Sequence, residues 1–409
     1  ALNLVPAPTK GKEMTRDELA LQAANVVDAE EVVHLTQKLV QIESYYPGPG
    51  EAPVVEFLKN YLDERGFKTT IQDVVPGRPN LIADLGTGPG GLILEGHTDV
   101  VHHGSLDQWQ IPPYEARVVD GKLYGRGSCD MKGGLAAAMV AAQAVKKVLG
   151  EPSKTLRLCI PCDEEGLMIG IKAFVKAGYA EGFAGAIVCE PEENQVCLWQ
   201  KGAMRVWVRF QGRMAHGAMP YAGANPIPSA SRFVTALRDL QTQLQAESQH
   251  EYLGLPWVTP TVFQASAGEG QFNLIPDKVR VGLDVRTNSG QDHRAIERRL
   301  REVLVASLDD RVAAGLEVFE DRPATETQRD ASIVKATEQA LSLLGMPVKY
   351  GGVPGATDGT FLWAWAELPV VTIGPGGRTV PHQANEYIEL EELVASARLY
   401  AAASVLMLT

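Results

Sequence analysis

Short β-rich apolar runs alternate with helical periodicities along most of this chain, and that alternation limits its fold more than any other feature. Lys68 to Asp73, Asn80 to Leu85, Leu92 to Glu95, Leu156 to Pro161 and Ala184 to Cys189 read as strands. Between them lie helical patterns. Asp28 to Ile42 puts Val32, Leu35, Leu39 and Ile42 on one face. Ala52 to Arg65 ends at Gly66, a residue suited to the left-handed cap position. Lys132 to Leu149 is a long Ala-rich helix that stops at Gly150, and Gly170 to Ala177 is a shorter one. Strands alternating with helices predict an α/β domain whose mostly parallel central sheet is flanked by helices.

The rhythm changes near residue 203. Val206 to Phe210 reads as a strand, Ile227 to Gln245 as a helix, and Thr259 to Ala267 and Val279 to Arg286 as strands. Arg294 to Leu308 reads as a helix and Leu316 to Glu320 as a strand. The order βαββαβ is that of a ferredoxin-like unit. The first pattern then resumes with helix Ala331 to Leu344, strand Pro369 to Gly374 and helix Leu390 to Leu408. The expected organisation is one domain, residues 1–202 and 322–409, interrupted by a smaller inserted domain, 203–321. A length of 409 residues suits two or three domains at roughly 150 residues each.

Composition excludes several classes of function. At 45% hydrophobic and 22% charged residues, the chain is neither disordered nor fibrous. The 38 Lys and Arg against 50 Asp and Glu leave a net charge of −12, with no basic run, which argues against nucleic acid and anionic membrane surfaces. No apolar stretch approaches the ~20 residues of a membrane span. The opening ALNLVPAPTKGKEMTRDE lacks the basic and apolar regions of a secretory signal. Five cysteines, odd in number and sparse, argue against a disulfide framework, so a cytoplasmic location is expected.

Chemistry-bearing side chains gather where apolar strands end. LILEGHTDVV carries His97 and Asp99, and GRGSCDMKGG places Asp130 at the entrance of the long helix. LCIPCDEEG carries Asp163, Glu164 and Glu165; AIVCEPEE carries Glu190; and VVTIGPGGRTVPHQANEY carries His382. The carboxyl ends of strands in an open α/β sheet converge on one crevice, so residues 97, 130, 165, 190 and 382 can meet there. Two His and three carboxylates suit two divalent cations roughly 3.5–4 Å apart with one carboxylate shared. Taken singly, Asp130 reads equally well as a helix N-cap, and His97 as a core histidine. There is no HExxH, no GxSxG and no phosphate-binding loop. Gly86 to Gly91 reads as a hairpin turn, and the Cys159–Cys162 pair as strand packing rather than a redox motif.

Together these segments resemble the di-zinc amidohydrolase and exopeptidase family of acetylornithine deacetylase, succinyl-diaminopimelate desuccinylase, aminoacylase-1 and glutamate carboxypeptidase. The matching motifs are GHTDVV, GRGSCDMKGG, DEEG, CEPE, GRMAHGAMP with GANPI, FNLIPDKV, GATDG and GPGG…PHQANEY, from about residue 30 to the end. The resemblance implies that His97, Asp130 and Glu190 hold one metal and that Asp130, Glu165 and His382 hold the other. It implies that the Asp99 carboxylate fixes the His97 tautomer. Glu164 becomes the general base acting on a metal-bridging hydroxide, and the Asp130–Met131 peptide is cis. It also implies a homodimer built through the inserted domain, with His216 reaching the neighbouring subunit's site to stabilise the oxyanion. Asn273 and Arg286 would bind substrate polar groups, Arg286 through its bidentate fork. The loop Gly351 to Gly359 would line the substrate site, with Thr357 as its candidate residue. Arg286 equally suits a surface ion pair. Trp109, Tyr114, Trp207, Tyr221, Trp257, Trp363 and Trp365 could shape a substrate pocket, but core or lid packing is the expected role for most of them.

The expected activity is metal-dependent hydrolysis of the amide bond of a small N-acyl amino acid, of the deacetylase or desuccinylase kind. Zinc is the first choice of metal, with cobalt or manganese as alternatives. Dipeptidase or carboxypeptidase action, and cleavage of a non-peptide C–N bond in an aromatic compound, remain open because fold does not choose among them. A metal-binding pseudoenzyme would need a lost ligand or base, and each motif position is filled.

Overall fold

The computed structural model describes residues 14–266 and 271–409. A nine-stranded mixed sheet forms the larger body. Leu156–Ile160, Gly91–Glu95, Phe183–Val188 and Val370–Thr372 lie parallel at its middle. The pairing of Lys68–Val75 with Arg78–Leu85, and of the latter with Leu156–Ile160, is antiparallel. At the other margin Val196–Gln200 pairs antiparallel with Val370–Thr372 and Thr325–Glu326, and parallel with Tyr350–Val353. The parallel strands are the ones joined by helical crossovers, and they are buried on both faces. On Gly91–Glu95, Leu92 and Leu94 pack beneath the helices Gly133–Leu149 and Leu390–Leu408. Ile93 faces the other way, toward Ile171 and Phe174 of helix Ile169–Lys176 and Phe361 of helix Gly359–Ala366.

Three segments differ from the sequence reading. The run before Asp28, to which the sequence reading assigned no element, contains the helix Arg16–Asn25, whose Thr15 and Glu18 form a reciprocal capping box. Gly86 to Gly91 is no hairpin turn, because Leu156–Ile160 lies between the two strands it joins. Its glycines serve that insertion: a Cβ on Gly88 or Gly91 would run into the carbonyl oxygens of Ser153 and Thr155. Gly351 to Gly359 is loop only over 354–358, flanked by Tyr350–Val353 and the helix Gly359–Ala366. Residues 1–13, on which the expectation about a secretory signal bears, lie outside the described residues. Among the described residues no helix is long and apolar enough to cross a membrane.

The chain between these halves builds a four-stranded antiparallel sheet in the order Trp257–Ala265, Lys278–Thr287, Gly202–Gln211, Ala313–Arg322. Helices Ile227–Glu247 and His293–Ala306 cover one face around a separate core that includes Val206, Phe210, Phe233, Leu283 and Leu300. The opposite face is uncovered, and Trp207, Arg209, Arg280 and Phe319 sit on it. A small ribbon pairs Ala215–His216 with Leu274–Ile275.

Candidate metal centre

His97 follows strand Gly91–Glu95 and is fully buried. Its Nδ1 lies 2.9 Å from the main-chain oxygen of Asp99, which puts the proton on Nδ1 and leaves the Nε2 lone pair free. The contact that orients the ring is thus with the Asp99 main chain, whereas the sequence reading expected its carboxylate. That carboxylate is 3.6 Å from Nδ1 and instead accepts hydrogen bonds from the main-chain N–H groups of Glu164 and Glu165, at 3.0 and 3.1 Å. The turn after the strand aims it at the neighbouring strand's acidic loop.

Asp130 stands in the single turn Ser128–Lys132, and its peptide bond to Met131 is cis. Its two oxygens face different imidazoles. Oδ1 is 3.3 Å from His97 Nε2, and Oδ2 is 3.2 Å from His382 Nε2. Glu190 Oε1 is 3.6 Å from His97 Nε2, and Glu165 Oε1 is 2.9 Å from His382 Nε2. The donor atoms thus form two triads that share Asp130: His97, Asp130, Glu190 and Asp130, Glu165, His382, each with its atoms within 4.8 Å of one another. Glu164 belongs to neither, although its Oε2 is 4.0 Å from His97 Nε2.

Crowding of this kind shows in the acidities. Burial and the neighbouring Asp130 charge push the Glu190 carboxyl up to about 7. Burial, then Asp130, raises Glu165; burial, then Glu190, raises Glu164 well above the carboxylate range. Burial also opposes ionisation of Asp130, yet the close His382 and His97 imidazoles outweigh it and hold that carboxyl well below its usual range. Asp130 and Glu165 in turn push His382 up to about 10. His97 Nε2, buried among three carboxylates, makes no hydrogen bond of good geometry. The residues therefore fit a pair of divalent ions: mixed nitrogen and carboxylate donors, converging, with one carboxylate able to bridge.

The other expected site residues lie apart from these triads. His216 is exposed; its Nδ1 accepts from the Ala218 N–H at 3.0 Å, which leaves Nε2 to carry the proton outward. Asn273 is exposed on the adjoining ribbon, and its carbonyl accepts from the Gly217 N–H at 2.6 Å. Arg286 forks onto Asp284 at 2.6 and 3.1 Å. Thr357 is buried, and both its N–H and its hydroxyl donate to Gln200 Oε1, at 3.0 and 2.7 Å. Its hydroxyl is thereby turned into the protein.

Several supports escaped the sequence reading. Glu386, 1% exposed, accepts from the main-chain N–H groups of Cys129 and Asp130 at 2.9 and 3.0 Å and pairs with buried Arg126. It lies inside PHQANEY, four residues past His382, and that proximity was the available signal. Asp163 pairs with Arg78 Nη1 at 2.6 Å, and Arg78 also grips Glu51. Lys132 is fully buried and donates to the carbonyls of Leu39 and Ile42 at 2.9 and 2.6 Å. The five cysteines are buried and unpaired, and burial raises the thiols of Cys159 and Cys162, against a redox role.

Residues 93–405 match the model of peptidase family M20/M25/M40. A probable succinyl-diaminopimelate desuccinylase of Staphylococcus aureus is 27% identical over 397 residues, covering 92% of this chain and 97% of that one. An acetylornithine deacetylase of Vibrio campbellii is 28% identical over 347 residues, covering 84% and 88%. Among solved structures, the aminopeptidase PepT of Bacillus cereus superposes with a TM-score of 0.76 at 20% identity, covering 94% and 100%. A dinuclear metal-binding peptidase of the same family from Bacillus subtilis gives 0.70 at 18%, covering 93% and 98%.

Proposed function

The chain belongs to peptidase family M20/M25/M40, and from that premise we propose that it hydrolyses the amide bond of a small N-acyl amino acid with two divalent cations bound. It is a metallohydrolase by family; the N-acyl substrate class is supported by the desuccinylase and deacetylase among its relatives. The observation that carries the reading is Asp130, whose two oxygens address two separate His and carboxylate sets. His97, Asp130 and Glu190 hold one cation; Asp130, Glu165 and His382 hold the other. Zinc suits this mixed donor set. When bound, the pair supplies Lewis acidity for the scissile carbonyl and lowers the pKa of water.

The remaining work falls to the chain itself. Glu164 sits beside both triads without joining either, its main chain held by Asp99. It takes a proton from the attacking water and returns it to the departing amine nitrogen. His216, contributed by a second copy of the chain, donates its Nε2–H to the carbonyl oxygen as negative charge grows there. The Ala218 N–H on Nδ1 supports that tautomer. Arg286 engages a substrate carboxylate by exchanging it for Asp284, and Asn273 binds a second polar group. Thr357 acts only by shaping the wall through Gln200. Five free, buried thiols suit a reducing compartment such as the cytoplasm.

Two variants test the division of labour. Asp130→Ala should lose both cations by elemental analysis. Glu164→Ala should keep both and lose turnover on N-acetyl and N-succinyl amino acids by at least 10²–10⁴-fold. Full metal content in Asp130→Ala, or wild-type kcat in Glu164→Ala, would overturn the assignment. Turnover of dipeptides alone would move the substrate class to peptides, as in the neighbouring peptidase folds.

A further inference from the structure

Among the five proposed ligands His382 is the least firmly held. His97 and Glu190 are buried just past the ends of strands, whereas the His382 side chain is 53% exposed and its main chain is left-handed, φ 66°. Pro381 to Asn385 belongs to no strand or helix. The imidazole therefore stands where the two ends of this segment put it. Downstream, the Asn385 side chain accepts from the Gln110 N–H at 2.7 Å and donates to the Gln108 carbonyl at 3.0 Å. Glu386 follows, held to the Cys129 and Asp130 N–H groups as described above. Upstream, the anchor is Arg378, four residues before His382.

Arg378 reaches into the loop that follows Glu190. It pairs with Glu192, which is 4% exposed, and its Nη2 donates to Cys197 Sγ at 3.1 Å. Main-chain bonds lace the same two loops together. The N–H groups of Glu192 and Asn194 donate to the Gly374 carbonyl at 3.2 and 2.9 Å, and that of Glu193 to the Gly376 carbonyl at 3.0 Å. A glycine leaves the room that the guanidinium fills: Gly351 pairs with Cys197 on the neighbouring strand, and a Cβ on it would come within 2.5 Å of Arg378 Nη2 and 3.0 Å of Cys197 Sγ. The two loops do not depend equally on this contact. Glu190 is also placed by strand Phe183–Val188, after which the Cys189 N–H donates to the Glu95 carbonyl at 3.0 Å. The His382 segment, outside any strand, relies on its ends, so loss of the Arg378 pair releases His382 before it disturbs Glu190.

We propose that Arg378, seated on Glu192 over Gly351, is a positioning residue for the second cation. It holds the His382 loop against the Glu190 loop and thereby sets the affinity of the Asp130, Glu165, His382 triad, touching neither ion nor substrate. This rests on the two-cation reading above. Partners that orient a metal ligand from outside the coordination shell act in this way, and their loss typically weakens metal binding by about 10- to 100-fold. The planar fork suits the task better than an ammonium, because one guanidinium addresses a carboxylate and a thiol at once.

Metal-free protein is titrated with Co²⁺ by calorimetry and visible absorption. Wild type should bind in two steps, and His382→Ala, which lacks one donor of the second triad, identifies the step that belongs to it. The test variant is Arg378→Met combined with Glu192→Gln, which removes the pair without leaving a buried charge unpaired. Its second-triad step should weaken roughly 10- to 100-fold while the other step stays unchanged. Arg378→Lys should retain part of that affinity. Gly351→Ala, which pushes the guanidinium off its seat, should weaken the same step and add no further loss in the double variant. An unchanged second-triad step, or equal weakening of both steps, would overturn the proposal. If wild type takes up fewer than two ions, the two-cation reading fails separately. Amide hydrogen exchange in chelator then decides whether Arg378 positions the loop. Faster exchange at Glu192 to Asn194 in the double variant, with the Cys189 amide unchanged, supports it, and identical exchange in both proteins refutes it.

Discussion

Glu386 holds the segment on which both proposed cation sites depend, so its replacement should read out the supporting structure directly. Its carboxylate accepts two main-chain N–H groups, those of Cys129 and Asp130, and pairs with Arg126, itself 2% exposed. Burial pushes the Glu386 carboxyl up while the Arg126 charge pulls it down, so the pair is held against a substantial desolvation penalty. Glu386→Gln keeps the shape and an acceptor oxygen for the two N–H groups, but strands a buried guanidinium whose Nε already has no partner. Breaking a buried pair from one side destabilises by about 3–5 kcal/mol, and the retained N–H contacts place this case near ~3 kcal/mol. Arg126→Met in the same background removes the stranded cation. The double variant should then return to within about 1 kcal/mol of wild type, because replacing both partners of a buried pair is nearly neutral. Urea unfolding of the four proteins in chelator gives the cycle, and metal content gives a second readout. The double variant should still load both cations, whereas Glu386→Ala, which frees both N–H groups, should load neither fully. A loss below about 1 kcal/mol in Glu386→Gln, or additive single effects, would refute the reading of Glu386 as the charged anchor of Asp130.

Two further outcomes are expected. Burial pushes the Lys132 ammonium down to about 7, so the native protein releases that proton near neutrality while the unfolded chain keeps it to about 10.4. Unfolding then takes up a proton in that window, and stability should rise between pH 7 and 10 by at most ~1.4 kcal/mol per unit; urea titrations of Lys132→Met at pH 7, 8 and 9 should lack that component, and an identical slope would show the lysine charged throughout. For His216, mixing inactive His216→Ala and Glu164→Ala proteins under verified subunit exchange should recover about a quarter of wild-type activity if sites are shared across a dimer. Activity that stays at the level of the separate variants would confine His216 to its own chain.

Much of the fold was legible because its signals are local. Helix Ala29–Gln41 with its Asp28 cap, and the buried runs Gly91–Glu95 and Phe183–Val188, carry periodicity and capping in their own residues. What was missed depends on partners distant in sequence. Tyr350–Val353 is a strand because Val196–Gln200 offers it an edge, and two of its four residues are glycines with no strand propensity. Helix Gly359–Ala366 is short and rich in aromatic residues, a composition that favours strands until Phe361 and Leu362 find the core beneath them. The capping box at Thr15 and Glu18 was a readable signal that the polarity of the flanking residues obscured.

For the site, residue types were legible and their orientations were not, as the run Asp163, Glu164, Glu165 shows. Three consecutive acids at a strand end look interchangeable in sequence. In the structure Asp163 takes a left-handed conformation, φ 65°, which turns its carboxylate away from the crevice to Arg78 and to the N–H groups of Leu167 and Ile169. That inward ion pair fixes the loop, and the Asp99 carboxylate pins the next two N–H groups from the other side. With both ends held, Glu165 reaches His382 while Glu164 stops short of the triads. The proposed ligand Glu165 and the proposed base Glu164 are thus adjacent in sequence, and Asp163, which belongs to neither triad, fixes the loop that carries both. Arg78 and Asp99, distant in sequence from this run, decide which of three like side chains meets which partner. Spacing within the run therefore does not separate the three acids; their orientations follow only once the opposing cation and the opposing carboxylate are in place.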